Sequence, residues 1–193
     1  MATKISSESA LAILVPEAEP LVETFRLEHD PSAAAGIPAH ITVLYPFKPP
    51  NEITAETIQT LEKLFSNISG VDFCFSEWRR LARVLYLAPV PEEPFKKIIE
   101  VVSERFPETP PYAGQFADII PHLTVAQNED PNRLQEIADE FERAATDALP
   151  IYARVNEVVL LDNVTGRWRI RNRFALSKHQ IDLPAPFGSP SIK

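Results

Sequence analysis

Two stretches of the sequence decide the fold: residues 38–43, PAHITV, and residues 120–125, IPHLTV. Each has the order His, apolar residue, Thr, Val, with a proline one or two residues before the His, and one copy lies in each half of the chain. Successive side chains of a strand point to opposite faces. The repeat therefore predicts two strands, each with a His/Thr face towards water or a cleft and an apolar face against helices. The two polar pairs can converge if a pseudo-two-fold axis relates the halves.

Strands and helices alternate in mixed order on both sides of these motifs. The predicted strands cover residues 9–15, 39–45, 71–78, 83–88, 122–126, 151–161 and 167–177, and the predicted helices cover 17–29, 54–65, 91–106 and 132–146. Hairpins are expected at 71–88 and 151–177, and an irregular loop at 107–114. This order favours an α/β or α+β fold over a regular parallel one. No Gly/Ser-rich linker is present, so we expect one domain over residues 1–180 and a C-terminal tail at 181–193.

Composition and charge exclude several classes of protein. The 193 residues include 19 Lys+Arg and 27 Asp+Glu, a net charge of −8. This acidic balance argues against a protein that coats long duplex DNA, because such a protein needs a basic surface. It does not exclude a small phosphate substrate, which needs only a local basic patch. The single cysteine, Cys74, excludes an internal disulfide and Cys-x-x-Cys zinc sites. No run approaches the roughly 20 apolar residues of a membrane span, and the N-terminus does not resemble a signal peptide. We expect a cytoplasmic protein, monomeric because no heptad pattern suggests assembly.

The four polar residues of the repeat suit acid–base chemistry on a phosphodiester. Histidine titrates near neutral pH, so one of His40 and His122 can take a proton from water while the other gives one to a leaving oxygen. The hydroxyls of Thr42 and Thr124 can hold the phosphate between them. A single His-x-Thr is more typical of a half-buried polar pair in a sheet, but a duplicated one favours a paired active site. No Asp, Glu or Cys at ligand spacing accompanies the two histidines, so we expect neither a metal nor another cofactor.

The motifs resemble those of the 2H phosphoesterase superfamily, also described as 2′-5′ RNA ligase-like or LigT-like proteins. Residues 36–47 resemble the first family motif and residues 116–125 the second, and the resemblance extends over residues 11–177. It implies an α+β bilobal fold of two antiparallel sheets, each backed by helices, around a central cleft. It also implies metal-independent cleavage of a 2′,3′-cyclic or 2′-5′ phosphodiester in a small nucleotide or RNA end.

The resemblance further implies roles for single residues. His122 would be the base that activates water, His40 the acid that protonates the leaving oxygen, and the two threonines the phosphate ligands. Two alternatives remain open at this point. One is a non-catalytic module that binds a nucleotide or RNA end in the same cleft, and the other is reversible 2′-5′ RNA ligation, which the sequence alone does not separate from hydrolysis.

Aromatic residues next to the motifs are candidate substrate contacts. Tyr45 and Phe47 follow the first motif, and either stacks a base at the cleft mouth or packs in the core. In a continuous strand Tyr45 points to the apolar face, while the register is lost after Pro46. Tyr112 and Phe116 lie in the segment that enters the second motif, which makes them the better candidates for stacking.

Arginine occupies every second position of the last predicted strand. Alternation puts all four on one face, with the apolar residues between them, Trp168 among these, on the other. The four are Arg167, Arg169, Arg171 and Arg173. One interpretation is a solvated edge strand protected by charge. The other is a basic wall of the cleft, in which at least one of the four reaches a phosphate or a flanking nucleotide.

Overall fold

A computed structural model of the chain describes residues 7–115 and 119–178. The predicted tail at 181–193 and the candidate contact Phe116 lie outside these described residues, and a single domain over 1–180 stays a prediction. The strands are β1 (Ser9–Leu14), β2 (His40–Leu44), β3 (Val71–Arg80), β4 (Val84–Val90), β5 (Leu123–Gln127), β6 (Ile151–Val155), β7 (Glu157–Asp162) and β8 (Arg169–Ala175). The helices are α1 (Glu19–His29), α2 (Pro31–Ala34), α3 (Ala55–Phe65), α4 (Glu93–Arg105) and α5 (Pro131–Ala145).

The strands form one antiparallel sheet built from two similar halves. The strand order is β6-β3-β4-β5-β2-β1-β7-β8, so each motif strand is the innermost member of a group of four. The groups meet where β2 pairs with β5, with Ile41 opposite Leu123. The predicted α+β class with two antiparallel, helix-backed halves is confirmed. The two predicted sheets are, in addition, joined edge to edge into one.

The sheet is curled rather than flat. One residue, Asn156, separates β6 from β7, although these strands hold the first and seventh places in the strand order. In a flat sheet six spacings of about 4.8 Å would separate them, which is farther than one residue can span. The outer edges therefore meet, and Ser69 bridges to Ser177 there. The prediction of one strand over 151–161 is wrong, because the chain crosses between the two edges at Asn156.

Helices cover one face of the sheet and leave the other available for a cleft. On α5 the apolar positions recur every three or four residues, and this spacing buries Leu134, Ile137 and Phe141. The ring of Phe141 meets Phe25 of α1 edge-on at 5.1 Å between centroids. The predicted helices are all present with their bounds shifted by one or two residues. In residues 7–115 and 119–178, no helix has both the length and the apolar character that crossing a bilayer requires.

Gly36 shapes the turn that leads into β2. Its φ of +103° is a conformation that side chains rarely adopt, and a Cβ there would lie 3.3 Å from the carbonyl oxygen of Trp168. Gly166 also has a positive φ, +84°, but open space around it. We expect Gly36→Ala to lower the free energy of unfolding by about 1–2 kcal/mol, and Gly166→Ala to cost less. Urea denaturation of both variants checks this, and equal losses would contradict the close approach of Trp168.

Candidate active site

The two motif strands place four polar side chains on one face of the sheet. Ile41 and Leu123 pair across the ladder and are fully buried on the helix side. Alternation then puts His40, Thr42, His122 and Thr124 on the opposite face, where all four are half-buried. In antiparallel order, Thr42 falls opposite His122 and Thr124 opposite His40. All four line one cavity of about 490 Å³, so the structure brings together the four residues that the repeat predicted.

A β-bulge occurs at the same position of each motif. In the β1–β2 ladder, Ala12 pairs with Thr42 and Leu11 with Leu44, so Val43 is the extra residue. In the β4–β5 ladder, Tyr86 pairs with Thr124 and Leu85 with Ala126, so Val125 is the extra residue. A bulge resets the alternation of faces beyond it. The matching bulges support the predicted pseudo-two-fold relation of the halves.

The bulges turn one further residue of each strand into the cavity. Tyr45 and Gln127, each five positions beyond the His of its motif, both line it. The expectation that Tyr45 points to the apolar face is wrong, because it assumed a continuous strand. Gln127 was missed for the same reason, because strand alternation is visible in the sequence but a bulge is not.

Backbone carbonyls fix the orientation of both imidazoles. The Nδ1 atom of His40 lies 2.8 Å from the carbonyl oxygen of Pro38, and that of His122 lies 2.7 Å from the carbonyl oxygen of Ile120. A carbonyl oxygen only accepts hydrogen bonds, so Nδ1 carries the proton in both rings. The Nε2 atom of each neutral ring is then the nitrogen that can take up a proton, and in the protonated ring the one that can give it.

The site disfavours positive charge on both histidines. Burial, together with the positive charge of Arg26, lowers the pKa of His40 from its ordinary value to about 4. Burial also lowers the pKa of His122. Both imidazoles are therefore mainly neutral at pH 7, and an anionic phosphate between them would favour protonation of one.

The cavity wall beside Tyr45 contains two residues that the sequence did not single out. The Tyr45 hydroxyl donates to Oε2 of Glu8 at 3.0 Å, and its ring stands edge-on to Trp168 at 6.1 Å. Burial and the Glu8 carboxylate raise the pKa of Tyr45 to about 12. Glu8 and Trp168 line the cavity as well. An aromatic corner with a carboxylate beside it can accommodate a nucleoside, with the rings against the base.

Tyr112 lies where the sequence expected a stacking residue. Its side chain lines the cavity and is hydrogen-bonded to Thr42, and burial raises its pKa. Its backbone N–H donates to the carbonyl of Tyr45 at 2.6 Å. The segment Pro111–Gly114 forms a short 3₁₀ turn, in which Tyr112 has a left-handed φ of 51°. The left-handed angles of Tyr112 and Ala113 interrupt regular helical geometry there, in line with the irregular loop predicted over residues 107–114.

Phe47 lies in the core rather than at the cleft mouth. Its side chain is buried and packs edge-on against Phe106 at 5.2 Å. Phe47 is absent from the described residues that line the cavity. A direct contact between Phe47 and substrate has no support in this arrangement.

The arginine strand does not have the single basic face that alternation predicted. Ile170 pairs with Leu161 and Asn172 with Leu160, so Arg171 is the extra residue of a bulge. Arg169 and Arg173 consequently lie on opposite faces. The prediction of one shared face is wrong for this reason, and Trp168, expected on the face opposite the arginines, lines the cavity.

Three of the four arginines have hydrogen-bond or ion-pair partners within the protein. Arg169 pairs with Asp162 at 3.1 Å, Arg171 donates to the carbonyls of Pro50 and Ile53 at 2.8 and 3.3 Å, and Arg173 pairs with Glu157. The guanidinium of Arg167 lies over Gly36. None of the four is among the described residues that line the cavity. Substrate contacts by Arg167, Arg169 and Arg171 stay a prediction.

One functional candidate that the sequence missed is Arg26 of α1. Its guanidinium is almost completely buried and donates to the carbonyl oxygen of Thr124 at 2.8 Å and of Pro38 at 3.3 Å. A charged residue in an amphipathic helix is typical of a solvated surface, so the local pattern could not show the burial of Arg26.

No group of three or more His, Cys, Asp or Glu residues suited to a metal ion occurs in the described ranges.

Comparison with known proteins gives matches over most of the chain. A model of the family described as the 2′-5′ RNA ligase superfamily matches residues 14–167. A protein of Bacillus pumilus (strain SAFR-032) named "Putative phosphoesterase" is 25% identical over 162 residues, which cover 82% of this chain and 90% of the Bacillus protein.

Solved structures resemble this fold at low sequence identity. E. coli LigT, solved in complex with 3′-AMP, superposes with a TM-score of 0.56 and 17% identity over 88% of this chain and 98% of LigT. The protein TT0787 of Thermus thermophilus gives 0.55 and 16% over 89% of this chain and 100% of that protein. These likenesses confirm the predicted LigT-like fold.

Proposed function

Because this chain belongs to the 2′-5′ RNA ligase superfamily, we propose that it is a metal-independent phosphodiesterase. Membership in the family supports a phosphodiesterase or ligase-like enzyme. The proposed reaction is hydrolysis of a cyclic 2′,3′-type or a 2′-5′ phosphodiester in a small nucleotide or RNA end. One observation carries it: two imidazoles with Nδ1 bound to a carbonyl line one cavity, and a threonine hydroxyl lies across the ladder from each.

In the proposed reaction the two histidines act on opposite sides of the phosphorus atom. The neutral one accepts a proton from water through Nε2 while the water oxygen forms a bond to phosphorus. The protonated one gives its Nε2 proton to the ribose oxygen as the bond from phosphorus to that oxygen breaks. The hydroxyls of Thr42 and Thr124 donate to the non-bridging oxygens. The resemblance makes His122 the base and His40 the acid, and we retain that direction.

The neighbouring proteins support a small nucleotide as the substrate class. E. coli LigT has been solved with 3′-AMP, with ATP and with NADP⁺, and the aromatic corner of Tyr45 and Trp168 in this chain offers a surface for a base. A cyclic phosphodiester carries a single negative charge, which the two histidines and two hydroxyls can neutralise without a metal. The cavity lies next to the carboxylate of Glu8, which can accept hydrogen bonds from a ribose hydroxyl.

A substrate panel in EDTA tests the proposal. It contains the four 2′,3′-cyclic nucleotides, RNA with a 2′,3′-cyclic end, and 2′-5′-linked dinucleotides, each incubated with wild-type and His40→Ala protein. We expect wild type to hydrolyse at least one class and the variant to leave it intact. Tight binding with no turnover would instead favour the binding module, and joining of the cyclic end to a 5′-hydroxyl RNA would favour ligation.

The pH dependence follows from the lowered pKa values. In the proposed direction the active form has His40 protonated and His122 neutral. Both pKa values are lowered, that of His40 to about 4, so both rings lose their protons as pH rises to neutral and this form becomes scarce. We expect kcat/KM to be highest at mildly acidic pH, to fall in stronger acid where both rings are protonated, and to fall as pH rises through neutral because both rings are then neutral. A pH profile at constant ionic strength measures this, and a kcat/KM that climbs through alkaline pH would contradict it.

A further inference from the structure

A buried cation connects the two motifs. Arg26 extends from α1, and its side chain is 2% exposed. One of its nitrogens, Nη1, donates to the carbonyl of Thr124. The other, Nη2, donates to the carbonyls of Ile37 and Pro38 at 3.1 and 3.3 Å. The planar fork of an arginine suits such a set of fixed acceptors better than a lysine ammonium.

The contact with Pro38 acts directly on His40. The Pro38 carbonyl oxygen receives hydrogen bonds from both Nη2 of Arg26 and Nδ1 of His40, at 3.3 and 2.8 Å. The guanidinium therefore holds the carbonyl that selects the tautomer of His40. A displaced carbonyl would leave Nδ1 without its acceptor, and the proton could then reside on Nε2, where it would block proton uptake.

The contact with Thr124 acts on the second motif. β5 pairs with β2 at Leu123, which lies opposite Ile41, and Thr124 is the next residue of β5. Arg26 thus bonds to the segment that leads into β2 and to β5 itself, close to the point where the sheet halves meet. This sets the spacing between the first and the second His/Thr pair more firmly than the short ladder does alone.

The charge of Arg26 is balanced within the protein. Asp30 lies 2.7 Å away and is itself 2% exposed, and its carboxylate accepts from the backbone N–H and the hydroxyl of Ser32, each at 2.9 Å. A buried ion pair contributes little net stability compared with apolar side chains of similar size. A role in geometry explains better than stability why a charged pair occupies this place.

From these contacts we propose that Arg26 is a positioning residue for the phosphodiesterase reaction. It fixes the Nδ1–H tautomer of His40 through Pro38, fixes the approach of the second motif through Thr124, and is itself held by Asp30. This inference rests on the proposed function, since it explains how the two imidazoles are held in a reactive arrangement.

The same cation affects the titration of His40. Arg26 and the anion Asp30 face His40 from α1 and its end, and His122 faces it from the second motif. Glu19 accepts from the backbone N–H of the preceding residue, and Tyr112 faces the same cavity. Loss of the Arg26 charge should raise the pKa of His40, and the lower of the two apparent pKa values of kcat/KM should rise with it.

The test compares Arg26→Met, which removes charge and donors, with Arg26→Lys, which keeps the charge. We expect Arg26→Met to lose about 10²-fold in kcat through misplacement of the imidazoles, with the lower apparent pKa raised. Arg26→Lys should retain the wild-type pKa but lose part of kcat. The control is Arg80→Met, since Arg80 tethers β3 to Gln135 and the Pro131 carbonyl of α5. Arg80→Met should keep wild-type kinetics. Wild-type kinetics in a folded Arg26→Met protein would contradict the proposal.

A spectroscopic readout separates this inference from the proposed function. Nitrogen-15 NMR of His40 reports the tautomer whether or not any substrate is turned over. We expect the Nδ1–H tautomer in wild type and a mixture in Arg26→Lys, which also serves if Arg26→Met does not fold. An unchanged tautomer in Arg26→Lys together with unchanged kcat would overturn the role of Arg26. If wild type turns over nothing but Arg26→Lys still shows the tautomer shift, the reaction is contradicted and the positioning role of Arg26 is supported.

Discussion

His40→Ala and His122→Ala are each expected to lower kcat by about 10²- to 10⁴-fold on the substrate that wild type hydrolyses, because each removes a proton-transfer group. Both side chains are half-buried on the cavity face and lie outside the main apolar cluster. The variants should therefore keep the wild-type circular dichroism spectrum and denaturation midpoint. Steady-state kinetics in EDTA measures the loss.

A matched control is His29→Ala, since His29 ends α1 and is not among the described residues that line the cavity of His40 and His122. It should retain wild-type kcat. The double variant of His40 and His122 should be little worse than either single variant, because the two groups act as a unit. Full activity in either single variant would contradict acid–base catalysis by the pair.

The second large effect concerns the leaving group. A substrate that releases p-nitrophenolate needs no protonation of its leaving oxygen, so an acid catalyst contributes little to its cleavage. If His40 is the acid, His40→Ala should cost less than about tenfold on such a phosphodiester, while His122→Ala keeps a loss of about 10²-fold or more. For each variant, the loss in kcat on the nitrophenyl diester is divided by the loss on the ribose ester. The variant with the smaller ratio identifies the acid.

The opposite ratio would exchange the roles of the two histidines without affecting the paired site. Equal losses on both substrates would mean that neither residue protonates the leaving oxygen. In that case either residue could still be the base that activates water, but the acid would be a third group. Tyr112 would then be the next candidate for the acid, since its hydroxyl is hydrogen-bonded to Thr42 in the same cavity.

The central four residues could be predicted from the sequence because alternation in a strand is a local property. The repeat of His, apolar residue, Thr and Val was enough to place both polar pairs on one face and both apolar pairs in the core. The order of strands and helices then gave the α+β class. Features that depend only on residues close together in the sequence could thus be predicted.

The remaining site residues depend on features that have no such local signal. Bulges at Val43 and Val125 turned Tyr45 and Gln127 into the cavity, and a bulge at Arg171 divided the arginines between two faces. A bulge depends on how a strand pairs with its neighbour in the sheet, and the alternation within one strand carries no information about that pairing. The burial of Arg26 likewise depends on carbonyls from two distant segments, and the crossing at Asn156 on the curl of the whole sheet.

The most direct test of the paired site is a crystal structure of the protein with a nucleoside 2′- or 3′-monophosphate. We predict that the phosphate lies in the cavity with oxygens at hydrogen-bonding distance, about 2.6–3.2 Å, from Nε2 of both His40 and His122 and from the hydroxyls of Thr42 and Thr124. A phosphate bound elsewhere, or bound by only one of the two motifs, would contradict two-histidine catalysis in this cleft.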